Sequence, residues 1–328
     1  MRGRARLAAV AVVVAALGAC ELSEVTITEP QHAVVAEAYV RLGVLQLSGL
    51  PPSVEPTPYA RVSVLLHETL DLSGASQPVP KARIRITRTG DGLVIPVPEM
   101  SAPPGGCARS QPVAGGSTCY DTPLDHPALK ALAPGDRLAL RIELADGGVL
   151  TSETVIPGRF QLLNVRAGTS CAATPLAGTQ IVWSRSANAW AYISDTYISG
   201  LSRHFPGRDV SDPLYLLGLS VSAGDTAIVF PRQFGVFARG DLDHAVTVAL
   251  QAGLPDSTFA IVAVAAVDRN WVNWARGGNF NPSGQVRLPS VRGDGTGVFA
   301  SGVLQAFRVV SDSRPTGLAR CPPDEPRD

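Results

Sequence analysis

Lysine is nearly absent: Lys81 and Lys130 are the two in 328 residues, arginine carries the other positive charges, and 28 basic side chains face 28 acidic ones. A chain so balanced lacks the electrostatic footprint that nucleic acid demands, and the arginine bias reads as that of a GC-rich genome. Histidine is scarce as well. His32, His67, His126, His204 and His244 never fall three or four positions apart, so the paired imidazoles of a zinc site are missing. No G-x-S-x-G or S-x-x-K motif occurs, which leaves a catalytic serine only as a dispersed set assembled in space. Beyond Leu17 no apolar run approaches the roughly 18 residues of a membrane-crossing helix. These absences argue against an enzyme, a metal and a cofactor.

What is present begins with Arg2, Arg4 and Arg6 before an apolar run from Leu7 to Leu17. That run is too short to remain in a bilayer as a helix but fits a secretory signal, expected at 1–19 and cleaved. It ends Leu17-Gly18-Ala19-Cys20, which resembles the lipobox of bacterial lipoproteins. The resemblance implies acyl chains on Cys20, the only membrane anchor the sequence offers, with Glu21 pointing by analogy to the outer membrane. Cleavage would take three arginines from the 28 basic residues, leaving 25 against 28 acidic ones and a net charge of about −3.

Four further cysteines, Cys107, Cys119, Cys171 and Cys321, suit an oxidising envelope, where an even count suggests two disulfides in any of three pairings, or thiols left free. Cys107 and Cys119 flank a Gly/Ser-rich loop and are expected to pair locally. Cys171 with Cys321 would then tie the end of the chain to the start of its second half.

With 27 prolines and 32 glycines, short elements separated by turns are expected. Ile84 and Ile86 alternate with Arg83 and Arg85, Gly90-Asp91-Gly92 turns the chain, and Leu93 to Val97 returns as a hairpin. Leu138, Leu140, Ile142 and Leu144 alternate with Arg137, Ala139, Arg141 and Glu143 before Asp146-Gly147-Gly148 and a return over Val149 to Ile156. Further strands are expected at 181–183, 190–198, 215–221, 227–230, 246–250, 259–267 and 298–310. Asp268 is placed to cap one short helix near 268–276, ended by Gly277-Gly278, with Trp271, Trp274 and Ala275 on one face. The stretches 50–58 and 96–123 read as long exposed loops. The expected fold is all-β: a lipidated linker over 20–32, an Ig-like or transthyretin-like β-sandwich over 33–158, a second sandwich-like domain over 159–313 and a tail over 314–328.

Three patterns invite a functional reading. Asp209-Val210-Ser211-Asp212 and Asp241-Leu242-Asp243-His244 offer oxygen ligands for calcium, but neither has an EF-hand spacing and both read as turns. Trp183, Trp190, Tyr192 and Tyr197 could stack on sugar rings, yet fall inside expected strands and read as core. Near the end stands VRGDGTGVFASG, residues 291–302. A phosphate loop needs a helix after its glycines, and here strand residues follow. The Arg-Gly-Asp triplet reads as chance, Gly293 and Gly295 as positive-φ turn positions, Asp294 as bonding its own backbone, and Val298-Phe299 as the start of the last strand.

The order of these features, from Cys20 through Ala33 to Leu47, Val79 to Ile84, Leu132 to Leu138 and the late segment with Trp271, Trp274, Asn279, Asn281 and Gly293 to Ala300, resembles an uncharacterised family of bacterial envelope lipoproteins. Its members are commonly encoded beside TonB-dependent outer-membrane receptors. Arg137-Leu138 stands where that family usually has an aromatic residue. The resemblance implies a lipid-anchored, non-enzymatic β-protein that accompanies or captures ligand for such a receptor. The alternative is a structural or adhesive surface protein.

Overall fold

The structure is a computed structural model, and it describes residues 32–45, 57–69, 76–100, 116–208, 210–220, 222–233, 242–277 and 288–323. The signal segment, Cys20, Cys107, Asp209, Asp241, Asn279 and Asn281 lie outside the described residues.

Fifteen strands and three α-helices follow one another among the described residues. They are β1 (Val34–Leu45), β2 (Thr57–Glu68), β3 (Arg83–Arg88), β4 (Val94–Pro96), β5 (Thr118–Asp121), α1 (Pro127–Lys130), β6 (Arg137–Glu143), β7 (Val149–Val155), β8 (Ser170–Ala173), β9 (Thr179–Val182), β10 (Ala191–Ser199), β11 (Leu214–Leu219), β12 (Ala227–Phe230), α2 (His244–Ala252), β13 (Thr258–Val267), α3 (Arg269–Arg276), β14 (Arg292–Gly293) and β15 (Gly295–Ser311). The fold is all-β, as the alternation implied. Its largest sheet has eight strands in the order β11-β10-β13-β15-β1-β2-β5, with β8 paired to the far end of β15. A five-stranded sheet, β14-β7-β6-β3-β4, and a ribbon, β12-β9, complete it.

The expected boundary at 158 needs correction. β1, near the start of the chain, runs parallel to β15, near its end, from Val34↔Gly295 to Val44↔Gln305. Residues 33–158 and 159–313 therefore share the large sheet, and Ala33–Asp328 is one compact unit. Two sandwich-like packings are built on that sheet. Ala36, Ala38, Val40 and Leu42 of β1 join Ile84, Ile86, Leu140, Ile142 and Leu150 of the five-stranded sheet in the core; Ile198, Val262 and Phe307 join Ile181, Phe230, Val246 and Leu250 in the same cluster. Period-2 alternation puts one side of most of these strands into this shared interior; β14, exposed at both residues, is an exception.

Three further expectations change. Residues 246–250 are helical: the Asp243 carboxylate accepts the Ala245 N–H as an N-cap, and Val246 and Leu250, one turn apart, are the buried pair. The supposed loop 96–123 contains β5, whose four residues are all buried; the Tyr120 hydroxyl donates to Val79 O at 2.8 Å and accepts Ala82 N–H at 3.0 Å. The supposed loop 50–58 gives way at Thr57 to β2, paired with β1 over twelve positions.

The stretch 291–302 is also built differently. β15 starts at Gly295, earlier than Val298, and positive φ falls at Gly293 (109°) and Gly297 (127°), not at Gly295. Gly295 is needed for close approach, since a Cβ there would meet Val34 O at 2.5 Å and Leu150 Cδ2 at 2.6 Å. Asp294 reaches across to Val149, whose N–H it accepts at 2.8 Å, and Arg292-Gly293 are fixed as β14 against β7.

Candidate functional site

The face of the large sheet turned away from the shared core carries the functional candidates, and it divides into two halves. Helix α3 covers one. Asp268 caps it by accepting the Trp271 N–H at 3.0 Å, and Val272 and Trp274 are buried beneath it. Trp271 spans two small clusters, one with Ile193, Ala265, Val267 and Leu304, the other with Val35, Tyr39, Val298 and Ala300. The aromatic stripe thus packs on the sheet, as its spacing implied. At the rim, Arg41 lies over Tyr39 (5.2 Å) and Trp271 (5.4 Å), and Arg269 over Trp190 (5.0 Å). Such stacks contribute roughly 0.5–1 kcal/mol each where exposed.

The other half carries an open aromatic row. Tyr215 of β11 stands opposite Tyr197 of β10, then Ile261 of β13 and Arg308 of β15, and cross-strand partners share a face. The Tyr197 and Tyr215 rings meet edge to face at 5.4 Å, Phe259 lies 6.1 Å from Tyr197, and the Arg308 guanidinium sits 4.2 Å above Phe259. Arg308 Nε is buried with no hydrogen-bond partner among the described residues, so that ring is its neighbour of consequence. Leu217 and Asp195 occupy the next row. Tyr215 is 60 % and Leu217 41 % exposed, on the terminal strand of the sheet. Aromatic faces with one guanidinium and one carboxylate can stack on an apolar or sugar surface and orient it by hydrogen bonds.

The four aromatics singled out in the sequence therefore divide. Trp183 and Tyr192 are 3 % and 2 % exposed core residues, packed edge to face at 5.3 Å, whereas Trp190 is 51 % exposed and Tyr197 belongs to the open row. The partners Tyr215, Leu217, Phe259 and Arg308 were missed as site residues. A signal existed: Leu-Tyr-Leu-Leu-Gly-Leu (214–219) is apolar on both faces, which an edge strand cannot bury.

A buried polar junction joins the five-stranded sheet, α3 and the large sheet. The Thr154 hydroxyl of β7 donates to Asp268 Oδ2 at 2.6 Å and lies 2.8 Å from the Ser301 hydroxyl, which donates to Val155 O at 3.0 Å. Desolvation, opposed by these hydrogen bonds, pushes the Asp268 carboxyl up to about 6. Once protonated, Asp268 can donate to Thr154, Thr154 to Ser301 and Ser301 to Val155 O, a chain with one proton for each link. The junction lacks a histidine or a nucleophile open to solvent.

A serine–histidine contact does exist elsewhere. Ser76 Oγ is 3.2 Å from His67 Nδ1, but Nδ1 is also 2.7 Å from Glu68 O. A carbonyl only accepts, so Nδ1 carries the proton and cannot take one from Ser76; Ser76, 1 % exposed, gives its own proton to Glu68 O at 2.8 Å. The pair ties strand β2 to the chain after it. Among the described residues no group of three or more His, Cys, Asp or Glu side chains is placed to hold a metal. Asp243 caps α2 and binds Arg208 at 2.8 Å. Asp212 accepts from Gly200 N, Ser202 N and Ser202 Oγ. Both are turn and cap residues.

Cys171 and Cys321 are joined by a disulfide across 150 positions. Around it Ala172 N donates to Ala319 O and Cys321 N to Ala172 O, so the described part of the tail, 314–323, docks beside β8. Cys119 is disulfide-bonded; Cys107, expected as its partner, lies outside the described residues. Among the described residues no helix is long and apolar enough to cross a membrane.

No protein-family model matches this chain, and no curated protein does. Among solved structures, the FN1–FN3 domains of chicken CNTN1 align over 77 % of this chain and 62 % of that one, at 12 % identity and a TM-score of 0.19. Dpr11 IG1 bound to DIP-gamma IG+IG2 aligns over 86 % and 100 %, at 7 % identity and a TM-score of 0.17. The chain thus spans less than two thirds of the CNTN1 fragment, and scores this low carry no argument about its fold or its task.

Proposed function

We propose that this chain is a lipid-anchored binding protein of the cell envelope, without enzymatic activity, attached to the outer membrane through Cys20 and contacting an outer-membrane transporter through the open face of β10 and β11. The observation that carries the binding role is Tyr215 with Leu217: two large apolar side chains, 60 % and 41 % exposed, on the terminal strand of the large sheet. Proteins normally blunt such an edge with charge or proline, and one left apolar suits a partner that adds to the sheet and covers the rings. The anchor rests on Arg2, Arg4, Arg6, the apolar run and the Leu17–Cys20 box. The transporter as partner rests on the family resemblance.

A photocrosslinking residue at position 215, expressed in the native envelope, tests the reading. An adduct with a β-barrel receptor is the expected result. No adduct there, together with a membrane pull-down that recovers no receptor, would overturn the partnership. The anchor is tested separately, by the mass of the N-terminal peptide and by Cys20→Ser, which should move the protein out of the outer-membrane fraction.

A further inference from the structure

We propose that the outer face of the five-stranded sheet is a docking surface for the phosphate groups of an anionic lipid layer. One cross-strand row on this face runs Pro96, Arg85, Arg141, Thr151, Arg292 across β4, β3, β6, β7 and β14, and the next holds Arg83, Glu143 and Val149. Paired residues point to the same side of a sheet, so four arginines project together from one face. With strands about 4.8 Å apart, Arg85 and Arg141 are immediate neighbours and Arg292 stands about 10 Å from Arg141.

Like charges directly opposite one another are destabilising, and the local carboxylates do not balance them. Glu143 alone meets three guanidinium groups: Arg141 at 2.8 Å, Arg85 at 2.9 Å and Arg83 at 3.5 Å. Of the nearest other acids, Glu153, in the following row, faces Arg137 at 3.9 Å, and Asp294 keeps its charge while accepting the Val149 N–H, so Arg83, Arg85, Arg137, Arg141 and Arg292 outnumber Glu143, Glu153 and Asp294. The side chains of Arg83, Arg85 and Arg141 are 82 %, 48 % and 45 % exposed, and Arg292 is exposed beside them. In a chain with no net formal charge, this is a local excess of cations. Guanidinium groups take phosphate oxygens two at a time, which suits them to headgroups.

Charge selects an anionic membrane over an apolar partner: among the described residues, the outward positions of these strands carry no exposed apolar side chain larger than Val94.

The test compares binding of the full chain to vesicles of phosphatidylcholine alone with binding to vesicles that also contain phosphatidylglycerol. Any acyl chains on Cys20 act on both equally, so the ratio isolates the arginines and stays informative if the anchor reading fails. Near an anionic surface each basic residue contributes about fivefold, so Arg85→Gln with Arg141→Gln should lower the ratio roughly twentyfold, and Arg314→Gln should not change it. A second readout needs no variant: phenylglyoxal labelling of Arg83, Arg85, Arg141 and Arg292 should fall on anionic vesicles and not on neutral ones. An unchanged ratio in the double variant, or equal labelling on both vesicles, overturns the proposal. So does inorganic phosphate protecting the arginines as well as vesicles do, which would mark a discrete anion site.

Discussion

Asp268 bears the most consequential single ionisation in the molecule. Its carboxyl is buried, raised from 3.8 to about 6 by desolvation. A group whose folded value lies above its unfolded one binds more protons when folded, so its stabilisation is complete below about pH 4 and is lost as pH rises through 6. Two pH units correspond to about 2–3 kcal/mol. The lowered carboxylates act the other way: Asp91, held near 2 by Arg88, and Glu143 and Asp243, lowered chiefly by Arg141 and Arg208, lose their contribution only as pH falls below about 4. Urea midpoints at pH 4.5 and 7.5 therefore isolate Asp268. Wild type should weaken between them and Asp268→Asn, which keeps a capping oxygen, should not; parallel behaviour of the two would refute the assignment. Gly297 supports a second prediction at this scale. Its φ is 127° and an added Cβ would collide with Ala36 O, so Gly297→Ala should cost about 3 kcal/mol by denaturant titration. The sequence revealed that this stretch is a glycine-dependent entry into the last strand. It did not reveal which glycine, because the φ of Gly293, Gly295 and Gly297 and the backbone that β1 and β7 bring against each are set by long-range pairing.

Elements whose apolar pattern has one period were legible. β3, β6 and β7 alternate cleanly and lie where alternation put them, and α3 has its cap, its aromatic stripe and its glycine stop where the local chemistry places them. Ambiguity came where a run is apolar on both periods. Val246 to Leu250 satisfies a strand or a helix, and the deciding residue is Asp243, whose carboxylate meets the Ala245 N–H at 2.7 Å and Arg208 at 2.8 Å. Asp243→Ala should accordingly destabilise by about 1 kcal/mol through the lost cap, read as a lower melting temperature with α2 the first segment to exchange its amide hydrogens. β5 was hidden because its four residues sit in a Pro- and Gly-rich stretch and its pairing partner, β2, is more than fifty residues earlier. The open row of Tyr197, Tyr215 and Phe259 was half legible: the rings stood in the expected strands, but which side of each strand stayed open depended on α3 covering only part of the sheet. Tyr215→Ala should leave the melting temperature within a few degrees of wild type, since the ring is mostly exposed, while abolishing the crosslink or pull-down assigned to that face.

At the level of the whole molecule the sequence misled most, in placing a domain boundary at 158. A change from one hairpin to the next looks locally like the end of a domain, and nothing in composition announces that β1 waits for a partner some 260 residues later. Because of that pairing, a fragment ending at 158 should not fold: it would lack β15, which lies between β13 and β1 in the sheet, and circular dichroism of the fragment should show little sheet. The disulfide between Cys171 and Cys321 closes a loop of 150 positions, so Cys321→Ser should cost about 2–5 kcal/mol, measured against the oxidised protein in denaturant. The same long-range parallel pairing also sets an order of events. Among the described residues β15 is the last strand in chain order, yet it is central, with β13 on one side and β1 and β8 on the other. Until it emerges, β1 with β2 and β10 with β13 are separate half-sheets with exposed apolar faces, and contacts of such separation form slowly. The sheet is thereby kept from closing before residues 295–311 have been made, so its completion is timed by one late, central strand rather than by its first hairpins.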